Sequence, residues 1–466
     1  MKRSVMAGCV LTLSVATAGS AAAAPAPLPK PGQEPATSAR VPASLFGMHD
    51  HSLTTTTPGP DDKFGSIRIW DNGVRWDEVN TADGVYDWTT MDTVVANARA
   101  TGAKDIMYVL GYTPNWAASF VKPPCSPGVY TDCSYFPGGT GAPPSNPAYW
   151  TNWVREVVTK YKGQITQYQI WNEANLTSMF DTANGQGSPQ EMAKITVAAE
   201  KIIRQVDPAA QVITASSTVV QNKKFLRAGW LKQYLTALKQ QKSKPEMLPV
   251  TRRNEFTRLL VHLNTMPDGI AVHLYPWVKK GPGNGTLADR AKGLTMAQQV
   301  IDDVGYKKTP VLDTEMNYGN NRDNGWPKSV YSQSKGAAYL AQTYLESLHN
   351  GVVQVDWYGW DDFGLGIWPT SQSGAVLQPG FTFRNLLTNL AGSKNKGCTI
   401  SRQVTVCLTT KGSTRNYWVY RPKAKAVAFS VPASFKVKNV CDVLDKCDRI
   451  KKGTVKVGLS PVRLTN

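Results

Sequence analysis

The chain lacks several features that would assign it to common classes of protein. After its first residues, no stretch approaches the about 18 consecutive apolar residues that a membrane-spanning helix needs. No cysteine pair has the Cys-x-x-Cys spacing of a zinc site. No recognised nucleic-acid-binding motif and no tandem repeat is present. These absences argue against an integral membrane protein, a zinc-finger protein, a nucleic-acid-binding protein and a repeat protein.

The remaining composition is that of an ordinary globular protein. Of the 466 residues, 41% are hydrophobic and 18% are charged. The length exceeds that of one small domain, so we expect a large domain with an appendage.

The N-terminal segment predicts export. Lys2 and Arg3 precede a short apolar stretch from Val10 to Ala18, and small residues from Ala21 to Ala24 suit a cleavage site. We therefore predict a signal peptide at residues 1–24. A proline-rich linker follows at residues 25–40. The protein is thus expected outside the cytoplasm, secreted or associated with the cell wall.

The cysteines are consistent with an oxidising compartment. Of seven cysteines, Cys9 belongs to the signal peptide, and the other six form three local couples separated by 8, 9 and 6 positions. Six cysteines allow fifteen pairings, but loop closure favours near neighbours. We predict three structural disulfides: Cys125–Cys133, Cys398–Cys407 and Cys441–Cys447.

The net charge of +18 is unevenly distributed. Residues 394–466 contain 16 Lys or Arg against 3 Asp and no Glu, so this segment alone carries +13. One interpretation is a solvated surface. The other is a module that is attracted to an anionic extracellular polymer, such as an acidic wall polymer.

Strand-like and helical segments alternate from Leu45 to about Ala391, which is typical of βα units. Eight such strands over about 350 residues predict a (β/α)₈ barrel of the α/β class, at residues 41–392. The strands are expected to begin near Leu45, Ser66, Asp105, Gln164, Gln211, Gly269, Thr309 and Val352. The clearest helices are expected at Trp88–Thr101, Asn146–Lys160, Ser188–Val206, Ala228–Lys239, Thr295–Val304 and Ser334–His349.

After Gly392 the pattern changes to short strands without helices between them. This predicts a small, basic β-sandwich at residues 393–466 that holds two of the disulfides. Its strands are expected at Thr399–Thr409, Arg415–Tyr420, Ala426–Val431, Phe435–Cys441 and Gly453–Leu459.

Two glutamates follow predicted barrel strands. Glu173 comes after the strand 165–170 and Trp171-Asn172, and Glu315 comes after the strand 310–314. The carboxyl ends of barrel strands converge on one face, and a retaining glycosidase needs two carboxyl groups about 5–5.5 Å apart. Asp313 competes with Glu315, because alternation places both side chains on the same face. Its position inside the strand favours a structural role.

In these motifs the chain resembles clan A glycoside hydrolases, nearest to family 39 and with relatives in family 5, over about residues 45–391. The resemblance implies that Glu173 is the acid/base and Glu315 the nucleophile, without metal or cofactor. It also implies that Asn172 binds the sugar 2-hydroxyl and that Arg68 binds the Glu315 carboxylate. Asp71 or Asp77 is an alternative partner for Arg68.

The resemblance extends to aromatic and histidine residues at other strand ends. His273 and Tyr275 share one face of the sixth strand, and the family's equivalent tyrosine donates to the nucleophile. Trp357 and Trp360 are expected to form an aromatic plate beneath the sugar, although both also suit a hydrophobic core. Further substrate contacts are predicted for His49 and Trp116. Other aromatic residues near strand ends or loops are candidates for stacking on a sugar: Trp76, Tyr112, Trp277 and Trp368.

The segment 221–262, with several extra basic residues, does not match the family, so the resemblance does not specify the sugar. The sequence also leaves open whether cutting is internal or terminal, and the oligomeric state. We expect a secreted retaining glycoside hydrolase that cleaves β-glycosidic or equivalent bonds of an extracellular or cell-envelope polysaccharide.

Two other interpretations remain. One is a non-catalytic, wall-associated carbohydrate-binding barrel. The other is a metal-dependent barrel hydrolase of the amidohydrolase type, with His49, His51, His273 and Asp356 or Asp361 as ligands. That class also uses a histidine on the fifth strand and a lysine on the fourth, which this chain lacks.

Overall fold

The computed structural model describes residues 40–466 apart from 57–58, 60–62, 122–139, 182–186, 220–227, 243–266, 277, 279–280, 282 and 424. Several predictions therefore lie outside the described residues. They are the signal peptide, the linker up to residue 39, the Cys125–Cys133 disulfide, Trp277 and most of the segment 221–262.

Eight parallel strands form a closed barrel, which confirms the predicted fold. Each strand pairs with its neighbours in chain order, and the first strand pairs with the last. The ring closes through a bridge between Ile213 and Gly269 and through the pairing of Ser217 with Val272. The strands are β1 Phe46–Met48, β2 Ser66–Ile69, β3 Asp105–Leu110, β4 Gln167–Ile170, β5 Gln211–Ile213 (continued by Ser217–Thr218), β6 Ile270–His273, β7 Val311–Met316 and β8 Val352–Trp357.

Helices follow the strands and surround the barrel. They are α1 Trp76–Val79, α2 Thr89–Ala100, α3 Pro147–Lys160, α4 Pro189–Val206, α5 Ala228–Lys242, α6 Leu287–Val304, α7 Gln333–His349 and α8 Gln378–Leu390. A short hairpin, Asn80–Ala82 with Val85–Tyr86, follows α1. α6 starts eight residues before the predicted Thr295, because Thr286 and Asp289 form a capping box there and Gly293 is accommodated inside the helix.

The hydrophobic core has an inner and an outer part. Inside the barrel, a small cluster contains Met107, Ile213, Ala271 and Leu312. A much larger cluster fills the space between the barrel and its helices. The inner cluster occupies only part of the barrel interior. The barrel wall also carries buried polar side chains, such as Arg68 and Gln169. Buried polar groups are costly unless they are hydrogen-bonded, so their concentration in this wall indicates a site for chemistry.

The C-terminal domain consists of two antiparallel sheets that pack around a second hydrophobic cluster, as expected of a β-sandwich. The cluster includes Tyr417, Val419, Val455 and Leu464. The strands are β9 Lys394–Ser401, β10 Val404–Lys411, β11 Thr414–Tyr420, β12 Val427–Ser430, β13 Asn439–Cys441, β14 Cys447–Arg449, β15 Thr454–Val457 and β16 Val462–Thr465.

Local details of this domain differ from the prediction. The single strand predicted at Thr399–Thr409 is a hairpin whose turn residues, Arg402 and Gln403, have positive φ of 47° and 67°. Neither residue is a glycine or asparagine, so the usual turn signal is missing. β14 and β16 were not predicted. Cys398 pairs with Cys407 and Cys441 with Cys447, in agreement with the predicted disulfides.

The C-terminal domain packs directly against the barrel helices. Gln342 of α7 donates to the Arg421 carbonyl oxygen at 3.1 Å. Trp418 and Tyr420 belong to the same hydrophobic cluster as the barrel. Within the described part of the chain, we find no helix with the length and apolar character needed to cross a membrane.

Candidate active site

Glu173 lies on a tight, left-handed turn directly after β4. Trp171 and Glu173 have φ of 68° and 42°, a conformation that non-glycine residues adopt only when their surroundings hold them. The Glu173 backbone N–H donates to Ser216 Oγ at 2.9 Å, and the Ala174 N–H donates to the Ser216 carbonyl oxygen at 3.1 Å. These two contacts fix the turn to the adjacent segment of β5 and point Glu173 toward the barrel axis.

Glu315 reaches the same face because β7 contains a bulge. The pairing of β6 with β7 shifts between Asp313 and Glu315, so that Glu315 lies opposite His273. Asp313 instead accepts from the Leu274 N–H at 3.0 Å and from Arg290 of α6 at 2.7 Å. The prediction that Asp313 and Glu315 share a face is therefore wrong, and Asp313 has a structural position.

The two glutamates lie close together. One carboxylate oxygen of Glu173, one of Glu315 and a ring nitrogen of His273 are all within 4.8 Å of one another. Both glutamates are 8% exposed. Their separation suits a retaining glycosidase, in which the carboxyl groups are about 5–5.5 Å apart. It is too short for the about 6.5–9.5 Å of an inverting enzyme.

Arg68 connects the groups of the site from the barrel wall. Its Nη1 donates to Glu315 Oε2 at 3.1 Å, its Nη2 to Asn172 Oδ1 at 2.6 Å and its Nε to Gln169 Oε1 at 3.1 Å. The side chain is fully buried. The alternative partners proposed from the sequence, Asp71 and Asp77, pair instead with His51 and Arg75.

Opposing influences act on the charge of Glu315. Burial raises its pKa above the ordinary value, and the neighbouring Glu173 raises it further. The positive charge of Arg68 acts in the other direction. Tyr275 donates its hydroxyl to Glu315 Oε1 at 3.1 Å, so each oxygen of this carboxylate has a donor that stabilises the ionised form.

His273 contacts Glu173 directly. Its Nδ1 lies 2.9 Å from Glu173 Oε1 and 3.8 Å from Glu315 Oε2. Burial lowers the pKa of His273 to about 3, so the ring is neutral near neutral pH. We assign its proton to Nδ1, which donates to Glu173. His273 Nε2 and Asn172 Nδ2 are buried without a partner in the described residues, and they are available to a ligand.

The predicted tryptophan plate lies outside the site. Trp357 is completely buried and packs near Tyr318, which hydrogen-bonds to Thr343 of α7. Trp360 packs edge-on against Phe64 and Phe383 in the hydrophobic core. Trp357 therefore faces the helix layer rather than the two glutamates. The prediction that these tryptophans contact a sugar is contradicted.

Tyr358, which the sequence analysis missed, takes a position beside the site. Its hydroxyl donates to Asp71 Oδ2 at 2.5 Å, and its ring centroid lies 4.8 Å from that of His49. A bulge also shifts the pairing of β7 with β8, so strict alternation along β8 does not predict which aromatic faces inward. The signal in the sequence was the run of aromatics from Trp357 to Trp360.

Of the other aromatic residues considered for sugar binding, some lie at the barrel wall and others belong to the hydrophobic core. Trp70 and Tyr112 stack at 5.9 Å, with the Arg68 guanidinium 6.0 Å from the Trp70 ring. Trp76 is core, stacked among other tryptophans. Trp116 is half-buried and donates to the Asn80 carbonyl oxygen at 2.9 Å, and Trp368 donates to that of Leu365 at 2.6 Å.

The histidines of the metal-hydrolase interpretation do not converge. His49 Nε2 lies 3.2 Å from the Thr314 carbonyl oxygen and 3.3 Å from Arg68 Nη1. His51 lies between Asp71 and Asp361, at 3.1 and 3.2 Å. In the barrel as described, the side chains that could share a cation are instead Glu173, His273 and Glu315, and Arg68 already supplies positive charge to Glu315.

Comparison with known proteins relates this architecture to solved structures, but not to any family profile or curated protein. No protein-family profile matches the chain. A search of curated proteins also finds no match.

Solved structures match over most of the chain. A family 39 glycoside hydrolase from Bacteroides cellulosilyticus WH2 has a TM-score of 0.60 and 14% identity, covering 90% of this chain and 80% of its own. A family 39 β-xylosidase from Caulobacter crescentus has a TM-score of 0.61 and 14% identity, covering 92% of this chain and 97% of its own. A family 30 endoxylanase from Clostridium papyrosolvens C71 has a TM-score of 0.52 and 12% identity, covering 92% and 97%.

At these identities the similarity concerns the fold. The predicted resemblance is confirmed at that level: the chain has the fold of the clan A glycoside hydrolases of families 39 and 30.

Proposed function

We propose that this protein is a retaining glycoside hydrolase that acts by double displacement, with Glu315 as nucleophile and Glu173 as acid/base. The observation that carries the proposal is the approach of the two carboxylates to within 4.8 Å on the open face of the barrel. Fold alone would not suffice, because one fold supports many functions.

In the first step, a carboxylate oxygen of Glu315 attacks the anomeric carbon of the sugar. The bond from that carbon to the glycosidic oxygen breaks, and Glu173 transfers its proton to the leaving oxygen. Arg68 and Tyr275 hold the two oxygens of Glu315. They keep the attacking group ionised and oriented, although burial raises its pKa.

In the second step, Glu173 acts as a base. It removes a proton from water while the water oxygen attacks the anomeric carbon and the bond to Glu315 breaks. His273 donates to Glu173 Oε1 and orients this carboxyl group for both proton transfers. Asn172 is held by Arg68 through its Oδ1, so its Nδ2 points its hydrogens toward the sugar 2-hydroxyl.

The substrate is proposed to be a β-linked polysaccharide or oligosaccharide outside the cell. Two structural relatives are named as a β-xylosidase and an endoxylanase, which supports a β-linked glycan as substrate. Secretion is supported by the N-terminal sequence and by two disulfides. The basic C-terminal domain is proposed to keep the enzyme near an anionic polymer.

Azide rescue of two variants tests the assignment. Glu173→Ala is expected to lose activity on a β-linked aryl glycoside with a good leaving group, and azide should restore turnover to give a β-glycosyl azide. Glu315→Ala, the matched variant, should give the α-glycosyl azide, because azide then takes the place of the nucleophile. The same anomer from both variants would disprove the assignment.

The two other functions have different signatures. A non-catalytic carbohydrate-binding barrel would bind glycans equally well with glutamine at position 173 or 315 and would release no product. A metal-dependent hydrolase would lose activity on treatment with a strong chelator and regain it with added metal. We expect activity that depends on both glutamates and is insensitive to the chelator.

A further inference from the structure

Two buried polar atoms beside the site have no hydrogen-bond partner within the described part of the chain. The first is Asp71 Oδ1. The other oxygen of this carboxylate, Oδ2, accepts from Tyr358 and lies 3.1 Å from His51 Nε2. Burial raises the pKa of Asp71, but His51 and Tyr358 outweigh it and hold that pKa below its usual range. Asp71 is therefore a charged acceptor with one oxygen unused.

The second atom is His49 Nδ1. His49 Nε2 lies between the Thr314 carbonyl oxygen at 3.2 Å, which only accepts, and Arg68 Nη1 at 3.3 Å, which only donates, so Nδ1 can carry either the ring proton or a lone pair. Burial lowers the pKa of His49 well below its usual value, so the ring is neutral. A sugar hydroxyl both donates and accepts, so it can pair with Nδ1 in either form. A buried polar atom without a partner in a binding site indicates a group of the ligand that pairs with it.

Both atoms belong to one arc of the barrel. His49 follows β1, Asp71 follows β2 and Tyr358 follows β8. These three strands are neighbours, and they lie across the barrel from β4 and β6, which carry Glu173 and His273. The Tyr358 ring contacts His49 while its hydroxyl contacts Asp71.

This arrangement determines which part of the sugar meets the arc. The leaving group must face Glu173, which protonates it. The sugar attacked by Glu315 therefore presents its remaining ring substituents toward β8, β1 and β2. Arg68 bridges the arc and the nucleophile. Its Nη1 lies 3.3 Å from His49 Nε2 and 3.1 Å from Glu315 Oε2, so the arc is close to the nucleophile.

The chemistry of the arc distinguishes neutral from acidic sugars. A hydroxyl group has a hydrogen to donate to Asp71, whereas an ionised uronic acid carboxylate has none and is repelled by Asp71. Nearby cations are already engaged: Arg68 contacts Glu315, and Arg322 contacts Asp362 at 3.1 Å. His51 lies between Asp71 and Asp361, which outweigh burial and raise its pKa to about 11, so its positive charge is shared by these two carboxylates. A site built to pair with a hydroxyl discriminates strongly against a ligand that lacks it.

We infer that Asp71 accepts a hydrogen bond from a hydroxyl group of the sugar bound against Glu315, that His49 Nδ1 pairs with a hydroxyl group of the same sugar, and that Asp71 selects a neutral sugar over a uronic acid. This inference rests on the proposed function, because it assumes that a sugar occupies the site.

Titration calorimetry with iminosugars tests the inference without turnover. The series contains a fully hydroxylated neutral member, its monodeoxy relatives and the counterpart that carries a carboxylate. Wild type is expected to bind the fully hydroxylated member at least about 10-fold tighter than one monodeoxy relative, since a hydrogen bond to a charged group contributes about 1.5–3 kcal/mol. It should also bind the neutral member about 10-fold tighter than the carboxylate counterpart.

Variants assign the effect to Asp71. In Asp71→Asn, the penalty for the missing hydroxyl is expected to shrink by at least about 3-fold, and the penalty for the carboxylate to shrink with it. Asp361→Asn is the matched control, because Asp361 contacts the other nitrogen of the same His51 and not the acceptor oxygen. Its binding selectivity should equal that of wild type.

Three results would overturn the inference: tighter or equal binding of the carboxylate counterpart, an unchanged hydroxyl penalty in Asp71→Asn, or no binding of any member to wild type. If Asp71→Asn does not fold, the ranking of ligands by wild type still decides. A failure of the proposed function would be visible elsewhere, as hydrolysis that survives Glu315→Gln or is never observed.

Discussion

Positive charge is placed differently in the two domains of this molecule. In the barrel, Arg68 and Arg290 are completely buried, and each contacts a carboxylate. In the C-terminal domain all eleven lysines between residues 394 and 466 are exposed. A buried charge acts strongly on its neighbours, whereas exposed charges are screened by salt and act weakly. The barrel therefore uses charge to set the chemistry of a few atoms, and the C-terminal domain can use it only for long-range attraction.

The domains also differ in what stabilises them. The barrel and its helices share one large hydrophobic cluster, part of which extends into the C-terminal domain through Trp418 and Tyr420. The domain's own cluster contains six buried residues. Small cores are commonly supplemented by disulfides, and both disulfides in the described residues lie here.

The largest expected effect is that of Glu315→Gln, which removes the proposed nucleophile while keeping its size. We expect kcat/KM to fall by about 10⁴-fold or more. Asp313→Asn is the matched control on the same strand. It weakens the contact with Arg290 and should lower the free energy of unfolding while keeping most activity. Equal losses of activity in the two variants would contradict the assignment.

Arg68→Met should shift the pH dependence. The Arg68 charge opposes the rise in the pKa of Glu315, so its removal raises that pKa further. The acid limb of kcat/KM then moves to higher pH, and activity below the limb falls by about 10-fold for each unit of the shift.

Arg290→Met is the control for Arg68→Met, because it also removes a buried ion pair but does not touch the proposed nucleophile. Arg290 is as deeply buried as Arg68, but its partner Asp313 faces the helices. We expect a loss of about 3–5 kcal/mol in unfolding free energy and an unchanged acid limb. A pH profile that moves in both variants, or in neither, would refute the proposed influence of Arg68 on the nucleophile.

A smaller effect is expected from the double substitution Cys398→Ser and Cys407→Ser. Closing a loop of 9 residues contributes about 2–3 kcal/mol in the chain-entropy account. Chemical denaturation should show this loss, while kcat and KM of the folded protein stay unchanged. A changed KM would indicate that the C-terminal domain shapes the cleft.

The smallest effect concerns the exposed lysines. Lys451→Glu combined with Lys452→Glu should change the free energy of unfolding by less than about 0.5 kcal/mol. Binding to a column of anionic polymer should weaken, with elution at lower salt. Binding that does not respond to salt in wild type would rule out the proposed attraction.

The order of elements and the two glutamates were predictable from sequence because they depend on local patterns. Alternation and strand-end motifs place all eight barrel strands. β4 ends at Ile170 as the sequence indicated, whereas β7 continues to Met316, two residues beyond its predicted end, and contains Glu315. A buried arginine requires an anionic partner, which the sequence predicts for Arg68. The choice of Glu315 over Asp71 and Asp77 came from the resemblance to the family.

Features that depend on irregular pairing were not predictable. The bulge in β7 turns Asp313 outward and Glu315 inward. The pairing of β7 with β8 also shifts in register, and Tyr358 lies beside the site where Trp357 was expected. Both shifts arise from the fit of neighbouring strands. A period-2 pattern in one strand therefore carries no signal for either of them.

The most direct test of the central claim is the anomeric configuration of the first product. Wild-type enzyme is mixed with a β-linked substrate that it cleaves, and the anomeric proton is followed by NMR before mutarotation. We predict that the β-anomer appears first, because carboxylates within 4.8 Å leave no room for a water between nucleophile and sugar. Initial appearance of the α-anomer would mean a single displacement by water and would contradict the role of Glu315 as nucleophile.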